Sequence, residues 1–411
     1  MDELPVTHRP LKILWTLPYF PWPTTSGGKL RQFHLLRQLS QRGHRITLLV
    51  QSKVMPSAEA RRAVEEVVDR LIVLPRRSIK SPQTLLSAVF SAFPLLVSIN
   101  AASHALRQAF EQLLDNEHWD VVQIEHSYGP QAFLRSLQQR KRDFILTEHN
   151  LESSLGGATH QRFPAWMGFF RRYDEWRYRQ WERRIMSLPV RLMAVTDADA
   201  QMMKSMRGDS VDVVINGVDT NAFSVVKPAL TSGRILFVGN FEYPPNRDAV
   251  TWFVEQVMPL VWLQMPAARF VVCGYAMPDI WQQRWPDARL IWRGFVDDLT
   301  QEQQSVAAFV APLREGGGSK LKVLEALAAG LPLVSTRQGV SGLSLRAGED
   351  FQCADTAQDM AQGLLTLLQD ASLAQRMGEA GRQYVQRHHD WLIPAMRLEA
   401  IYWEILDAHR H

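Results

Sequence analysis

At 411 residues, 46% hydrophobic and 21% charged, the chain has the apolar content for two buried cores and is not a disordered polymer. Its two cysteines, Cys273 and Cys353, exclude a disulfide scaffold and a cysteine metal cluster, and they fit a reducing compartment. The net charge of +4 is unevenly spread: residues 1–200 carry 27 Lys and Arg against 19 Asp and Glu (+8), and residues 201–411 carry 19 against 23 (−4).

No charged and then apolar leader opens the sequence, so no secretory signal is expected and the location is expected to be cytoplasmic. The run from Leu11, LKILWTLPY, reads as a strand. GGKLRQFHLLRQLSQRG follows with Leu30, Phe33, Leu36 and Leu39 at helical spacing, closed by Gly43. HRITLLV and DRLIVLP are strands again. The apolar run Leu85–Ala102 is interrupted by Pro94 and reads as a buried or membrane-grazing helix pair, not a spanning segment.

DVVQIEH, DFILTEH and RLMAVTD complete a first series of strands alternating with helices, which implies βαβ units and a parallel sheet. Glu125, Glu148 and Glu152 are candidates for the paired carboxylates of a hydrolase, but their spacing does not set two of them face to face. Within residues 165–186, Trp166, Phe169, Phe170, Tyr173, Trp176, Trp181 and Ile185 recur at helical spacing among six arginines and three acids. Such a helix either lies in a membrane interface or docks on its own domain, and the docked form is expected. Asp197 and Asp199 of TDAD have a metal-binding spacing but stand where a helix begins, so a capping role is expected and no metal is assigned.

VVKPALTSG, Val225–Gly233, reads as a linker. A second strand series follows: GRILFVGN, ARFVVCGY, ARLIWRGFV, VAAFVAPL and LPLVSTRQG. The expected fold is therefore α/β, with two doubly wound domains over residues 1–225 and 230–385, and a terminal segment at 386–411. Ligands of such sheets bind beyond the carboxyl ends of the strands. His388 and His389 in the tail read as surface residues.

The most informative stretch is REGGGSKLKVLEALAAG, Arg314–Gly330. It follows an apolar strand and enters a helix whose face carries Leu321, Leu324, Leu327 and Ala328. Consecutive glycines let the backbone curl so that amides aim at one object, and the helix start adds partial positive charge. Lys320 and Lys322 add full charges, and Glu325, one turn on, can accept hydrogen bonds from a sugar hydroxyl. Phosphates plus a ribose carboxylate describe a nucleotide. The order is not that of a P-loop, because Ser319 precedes Lys320.

This stretch, PLREGGGSKLKVLEALAAGLPLVSTRQGVSGL, closely resembles the donor-site signature of family 4 glycosyltransferases, retaining enzymes of the GT-B fold. FPWPTTSGGKLRQFHLLRQLSQRGHRITLL resembles that family's first strand, glycine loop and helix. ILTEHNLESSL resembles its mid-domain histidine segment, NGVDTNAF its entry to the interdomain linker, ILFVGNFEYPPNRDAVTWFVEQVMP the opening of its second domain, and MGEAGRQYVQRHHDW its tail. The likeness runs over about residues 11–405.

The resemblance implies a GT-B architecture, two Rossmann-like domains facing across a cleft. The acceptor would be held by the first, the nucleotide-sugar by the second, and the terminal helix would cross back to the first. It implies a hexosyltransferase-type, metal-independent enzyme of exopolysaccharide assembly. The donor would be a UDP- or GDP-sugar and the acceptor a saccharide or lipid-linked saccharide. It assigns Glu325 to the ribose, Lys320, Lys322 and the turn Gly316, Gly317, Gly318, Ser319 to the diphosphate, and Gly27 and Gly28 to the phosphates or sugar. His149 falls to the sugar near the reacting bond, Arg293 and Phe295 to the region of the base, and Asn216 to the cleft rim.

Two departures stand out. The family's E-x7-E spacing, counted back from Glu325, meets Gly317, so Glu315 is two residues early for the donor-sugar role. After Gly239 the family's arginine is replaced by Asn240, which leaves Lys320, Lys322, Arg314 or Arg247 for the diphosphate charge. A sugar-nucleotide epimerase or a silent glycan- or lipid-binding module of the same fold are the alternatives. The basic N-terminal half points to an anionic membrane surface or a lipid phosphate as a peripheral contact on the inner face of a membrane; no nucleic-acid partner is expected.

Overall fold

The computed structural model describes residues 9–76, 91–101, 103–149, 151, 153, 168–317 and 319–408. The chain divides into two compact units, Met1–Ile215 with Pro394–His411, and Asn216–Ile393.

Unit 1 is built on a seven-stranded parallel sheet: β1 (Lys12–Leu17), β2 (Arg45–Ser52), β3 (Arg70–Pro75), β4 (Val121–Glu125), β5 (Ile145–Glu148), β6 (Arg191–Ala194) and β7 (Asp212–Val213), in the order β3-β2-β1-β4-β5-β6-β7. The central strands are near-continuous apolar runs because helices cover both faces of a parallel sheet, and β1, β2, β4 and β5 are buried almost throughout. The expected first helix spans Gly27–Gln41, buries Phe33, Leu36 and Leu39, and gives way to Gly43 at φ +90°.

Unit 2 has a six-stranded sheet: β8 (Arg234–Val238), β9 (Arg269–Cys273), β10 (Leu290–Gly294), β11 (Ala308–Ala311), β12 (Leu333–Ser335) and β13 (Gln352–Cys353), in the order β10-β9-β8-β11-β12-β13. All its ladders are parallel. The two-residue strands β7 and β13 carry too little pattern to be read from sequence. In both sheets the strand order reverses beside the first strand, between β1 and β4 and between β8 and β11, and crevices form at such switch points.

Several expectations are corrected. The division falls at Ile215 and Asn216, ahead of the Pro-containing stretch from Val225, because Val218 and Val226 are buried in unit 2's core and Arg382 holds the Val226 carbonyl at 2.9 Å. At the other end unit 2 extends to Ile393, because Val218 N–H donates to the His389 carbonyl at 2.8 Å. His389 is accordingly buried, not a surface residue.

The terminal helix Leu392–Ala408 contributes Glu399 and Tyr402 to unit 1. Glu399 accepts from Arg42 at 2.6 Å and lies 2.9 Å from His44. The helix Gly168–Met186 buries Tyr178, Trp181 and Ile185 and an ion pair of Asp174 with Arg177, so it docks on its own unit. Tyr173 and Trp176 of the expected stripe instead face solvent, with ring centroids 6.0 Å apart. The stripe's Trp166 lies outside the described residues. Leu95–Ala101 is a helix whose Leu95, Val97 and Ile99 enter the core, while Leu85–Phe90 lie outside the described residues. No helix among the described residues is long and apolar enough to cross a membrane. The capping expected of the aspartates in TDAD falls instead to Thr196, which accepts from Asp199 N–H at 3.1 Å, while Asp197 and Asp199 lie within the first turn of the helix Asp197–Arg207.

Candidate functional site

In unit 2 the loops that leave β8, β11 and β12 meet around the glycine turn. The turn begins after Leu313 and ends at the helix Leu321–Ala328, so it lies at the carboxyl end of β11, beside the switch point. Gly316 has φ +100°, and a Cβ there would come within 2.7 Å of the Tyr243 hydroxyl and 3.0 Å of Pro245, so both conformation and space require glycine. Its carbonyl accepts from Lys320 Nζ at 3.2 Å and from Gln338 Nε2 at 2.5 Å. Gly317 N–H donates to the Tyr243 hydroxyl at 3.1 Å. The turn is thus held by Tyr243 and Gln338, and the Gly317 amide is engaged rather than open; Gly318 lies outside the described residues. Ser319 Oγ accepts from Asn216 Nδ2 at 2.7 Å, which joins two of the expected residues.

Lys320 is the helix's first flanking residue and sits at φ +51°, a conformation that costs a non-glycine residue about 1 kcal/mol. Lys322 is half-buried, donates to Asn246 Oδ1 at 2.5 Å and lies 4.6 Å from the Phe237 ring centroid. Burial pushes the Lys322 ammonium down to about 7; Lys320 adds to the drop and Glu325 opposes it. Burial raises Glu325 to about 7, with Lys322 opposing. Lys320 is lowered by burial as well. Burial thus works against the charged form of both Lys322 and Glu325, and an arriving anion would favour the charge on Lys322.

Other expected residues lie apart from this cluster or are engaged. Arg314 is paired with Asp248 across the surface, so its guanidinium is not a loose phosphate ligand, and Arg293, expected in the region of the base, is paired with Glu302 at 3.0 Å. Arg247, Glu315 and Phe295 are exposed. Asn240 shapes the turn after β8, accepting from Glu242 N–H at 2.9 Å on its side chain and from Asn246 at 2.7 Å on its carbonyl; Gly239 packs on Asn246, which a Cβ would meet at 3.1 Å. Tyr243, Asn246 and Gln338 were not foreseen, since single polar residues in loops or at a helix start carry no periodic signal.

In unit 1, β4 and β5 end in the same dipeptide, Glu125-His126 and Glu148-His149. The strands pair with Glu125 opposite Thr147, and the side chains cross. His149 Nε2 lies 3.0 Å from Glu125, and His126 Nδ1 lies 3.6 Å from Glu148. Glu125 also receives Gln32 Nε2 at 2.6 Å and Gln123 Nε2 at 2.8 Å. Burial works upward on the Glu125 carboxyl, but the hydrogen bond and charge of His149, the charge of Arg31 and the Gln123 hydrogen bond outweigh it and hold it below its usual range. Burial, helped by His126, holds the His149 imidazole down at about 4 against the pull of Glu125. Gly28, in the first turn of the helix that Gly27 opens, faces this pair: a Cβ there would lie 2.8 Å from the Tyr19 hydroxyl and 3.8 Å from His149 Nδ1. Gly28 and His149 are thus brought together. The repeated Glu-His was the available signal for Glu125, Glu148 and His126 acting as imidazole partners instead of a hydrolytic pair; Glu152 lies outside the described residues.

Comparison with known proteins agrees with this architecture. Residues 26–222 match the family model of Glycosyltransferase Family 4, and residues 232–370 match that of Glycosyl transferases group 1. An uncharacterized 44.6 kDa protein in the cps region of Klebsiella pneumoniae is 22% identical over 383 residues, covering 90% of this chain and 94% of that protein. A phosphatidyl-myo-inositol mannosyltransferase of Mycobacterium leprae is 24% identical over 370 residues, covering 86% and 92%. Among solved structures, Anabaena Alr3699/HepE in complex with UDP and glucose superposes with a TM-score of 0.63 at 12% identity, over 95% of this chain and 99% of that one. With both parallel sheets, the glycine turn and both halves of the sequence in agreement, the chain belongs to family 4 of the glycosyltransferases, enzymes of the GT-B fold.

Proposed function

We propose that the chain transfers a sugar, with retention and without a metal, from a nucleoside-diphosphate sugar to a saccharide or lipid-linked saccharide in polysaccharide assembly. The observation that carries this reading is the turn at the carboxyl end of β11, where Lys320 and Lys322 stand at the start of a helix and Glu325 one turn into it. Lysines at a helix start suit a diphosphate, whose negative charge grows as the sugar departs, and they are already in place before reaction. Glu325 is proposed to accept from the ribose, and Asn216 with Ser319 to order the turn. A nucleotide-sugar donor is supported by the UDP and glucose bound to the Anabaena protein. A glycan product is supported by the mannosyl transfer of the Mycobacterium leprae relative and by the cps region that holds the Klebsiella pneumoniae one.

Calorimetry with UDP-, GDP- and dTDP-sugars tests this. At least one is expected to bind the wild type, and Glu325→Ala and the double change Lys320→Ala with Lys322→Ala are expected to weaken it. Loss of two charge-assisted hydrogen bonds, each about 1.5–3 kcal/mol, corresponds to at least about 100-fold for the lysine pair. If no sugar nucleotide binds the wild type better than these variants, the donor site is not here.

A further inference from the structure

The crossed Glu-His pairs at the ends of β4 and β5 determine where the protons sit. Trp15 Nε1–H is only a donor, and it points at Gln32 Oε1 at 3.1 Å, so the Gln32 amide must turn its NH2 to Glu125. Tyr402 reaches Gln123 Oε1 at 3.3 Å, and the Gln123 NH2 donates to Glu125 and to Thr147 Oγ1 at 2.6 Å. Gln32 Nε2 lies 2.6 Å from the same Glu125 oxygen and 3.1 Å from His149 Nε2, so both nitrogens converge on the carboxylate; an ionised carboxylate accepts only, and the 3.0 Å approach of His149 Nε2 to it favours the proton on Nε2. Nδ1 is then a bare acceptor, and it is the atom that faces Gly28.

On the other diagonal, Glu148 accepts from Ser127 N–H at 2.6 Å and from His149 N–H at 3.2 Å, and its charge, 3.6 Å from His126 Nδ1, favours the proton on that nitrogen. His126 Nε2 then accepts from the Tyr19 hydroxyl at 3.0 Å, which leaves the lone pairs of Tyr19 Oη as acceptors beside Gly28. Burial raises the Tyr19 phenol, so it keeps its proton.

We propose that Glu125 is a positioning residue: it holds His149 in the Nε2–H tautomer, so that Nδ1 and the neighbouring Tyr19 Oη present two acceptors to the hydroxyls of a sugar at the Gly28 turn. The proposal rests on the nucleotide-sugar reading for its ligand but not for its tautomer. A vicinal or ring-spanning set of hydroxyls supplies donors to both atoms, whereas the doubly esterified phosphates of a nucleotide sugar have no O–H to donate and would be repelled. A carboxylate that sets an imidazole tautomer acts through the imidazole, and its neutral replacement loses activity without losing the site.

Imidazole nitrogen-15 spectra of the full chain without ligand test the tautomer, with His149 assigned by its loss in His149→Ala. Wild-type His149 is expected to carry its proton on Nε2 at neutral pH, and Glu125→Gln, which turns one acceptor oxygen into a donor, is expected to shift population toward Nδ1–H. A wild-type proton on Nδ1 overturns the proposal whatever the protein binds. For the ligand, the sugar nucleotide that binds the wild type best is compared with its free nucleoside diphosphate.

If the sugar is the donor's, Glu125→Gln and Tyr19→Phe each weaken the sugar nucleotide by about tenfold while the free diphosphate stays within about twofold. If both affinities hold and only the transfer rate falls, the sugar is the acceptor's. An equal loss for sugar nucleotide and free diphosphate, or no change in any of these, overturns the proposal. Tyr19→Phe keeps the ring, so that arm decides if Glu125→Gln does not fold. Should the wild type bind no sugar nucleotide, the functional reading fails while the spectra still decide the tautomer.

Discussion

In unit 1 the Glu125 carboxylate receives donors from Gln32, Gln123 and His149, the two glutamines aligned by Trp15 and Tyr402, and the buried Arg31 lies within its field. In unit 2 Lys322 and Glu325 share one helix turn, where Lys322 bonds to Asn246 and burial brings both groups to about 7. The first arrangement is complete without a ligand: its charge is compensated by the protein. The second leaves charge to be settled by what binds. A fully satisfied polar network orients an atom, whereas an incompletely satisfied one responds to a charge.

The largest expected effect separates the two on stability. Glu125→Ala takes a buried negative charge out of the field of Arg31 and removes the acceptor shared by Gln32, Gln123 and His149, which is expected to destabilise the protein by about 3–5 kcal/mol. Glu325→Ala removes a half-buried carboxyl that burial already disfavours, from a helix where alanine is well suited, so a change within about 0.5 kcal/mol is expected. Chemical denaturation of both variants measures the difference, and similar losses would erase the distinction.

The next effect is on protons. Free Lys322 is lowered to about 7 and the bound diphosphate restores its charge, so the complex holds more protons than the free protein and affinity falls as pH rises above 7. At about 1.36 kcal/mol per pH unit the loss approaches tenfold per unit. Sugar-nucleotide calorimetry in buffers of different ionisation enthalpy reads the uptake directly; a flat profile from pH 7 to 9 would mean that Lys322 does not meet the phosphates.

The smallest effect tests the strained residue of the turn. Lys320→Gly relieves a left-handed conformation, worth about 1 kcal/mol less the added freedom of the unfolded chain, so the melting temperature is expected to hold or rise slightly while nucleotide affinity falls. A drop in both would assign Lys320 to the fold instead of the ligand.

Much of the fold was legible in the sequence. The strands from LKILWTLPY to LPLVSTRQG stand out because helix-covered parallel strands are continuous apolar runs, and REGGGSKLKVLEALAAG shows its turn because glycine, lysine and helix propensity change within a few residues. The two-residue strands β7 and β13 were not legible, since two residues have no period. Nor were the engagement of Arg314 by Asp248, 66 residues away in sequence, or the burial of His389. A charged side chain reads the same whether paired or free until its neighbours are known.

By itself, the sequence determined the two doubly wound halves and the place of the glycine–lysine turn at a strand end, because hydrophobic period and backbone permissiveness are local properties. Tertiary structure alone decided which groups are compensated. Glu125 and His149 are 24 residues apart in sequence, and Tyr402 lies 279 residues from Gln123, yet adjacent parallel strands and the returning helix bring them within hydrogen-bonding reach. Proton positions follow from such contacts, because a donor or acceptor has a defined role only once its partner is in place.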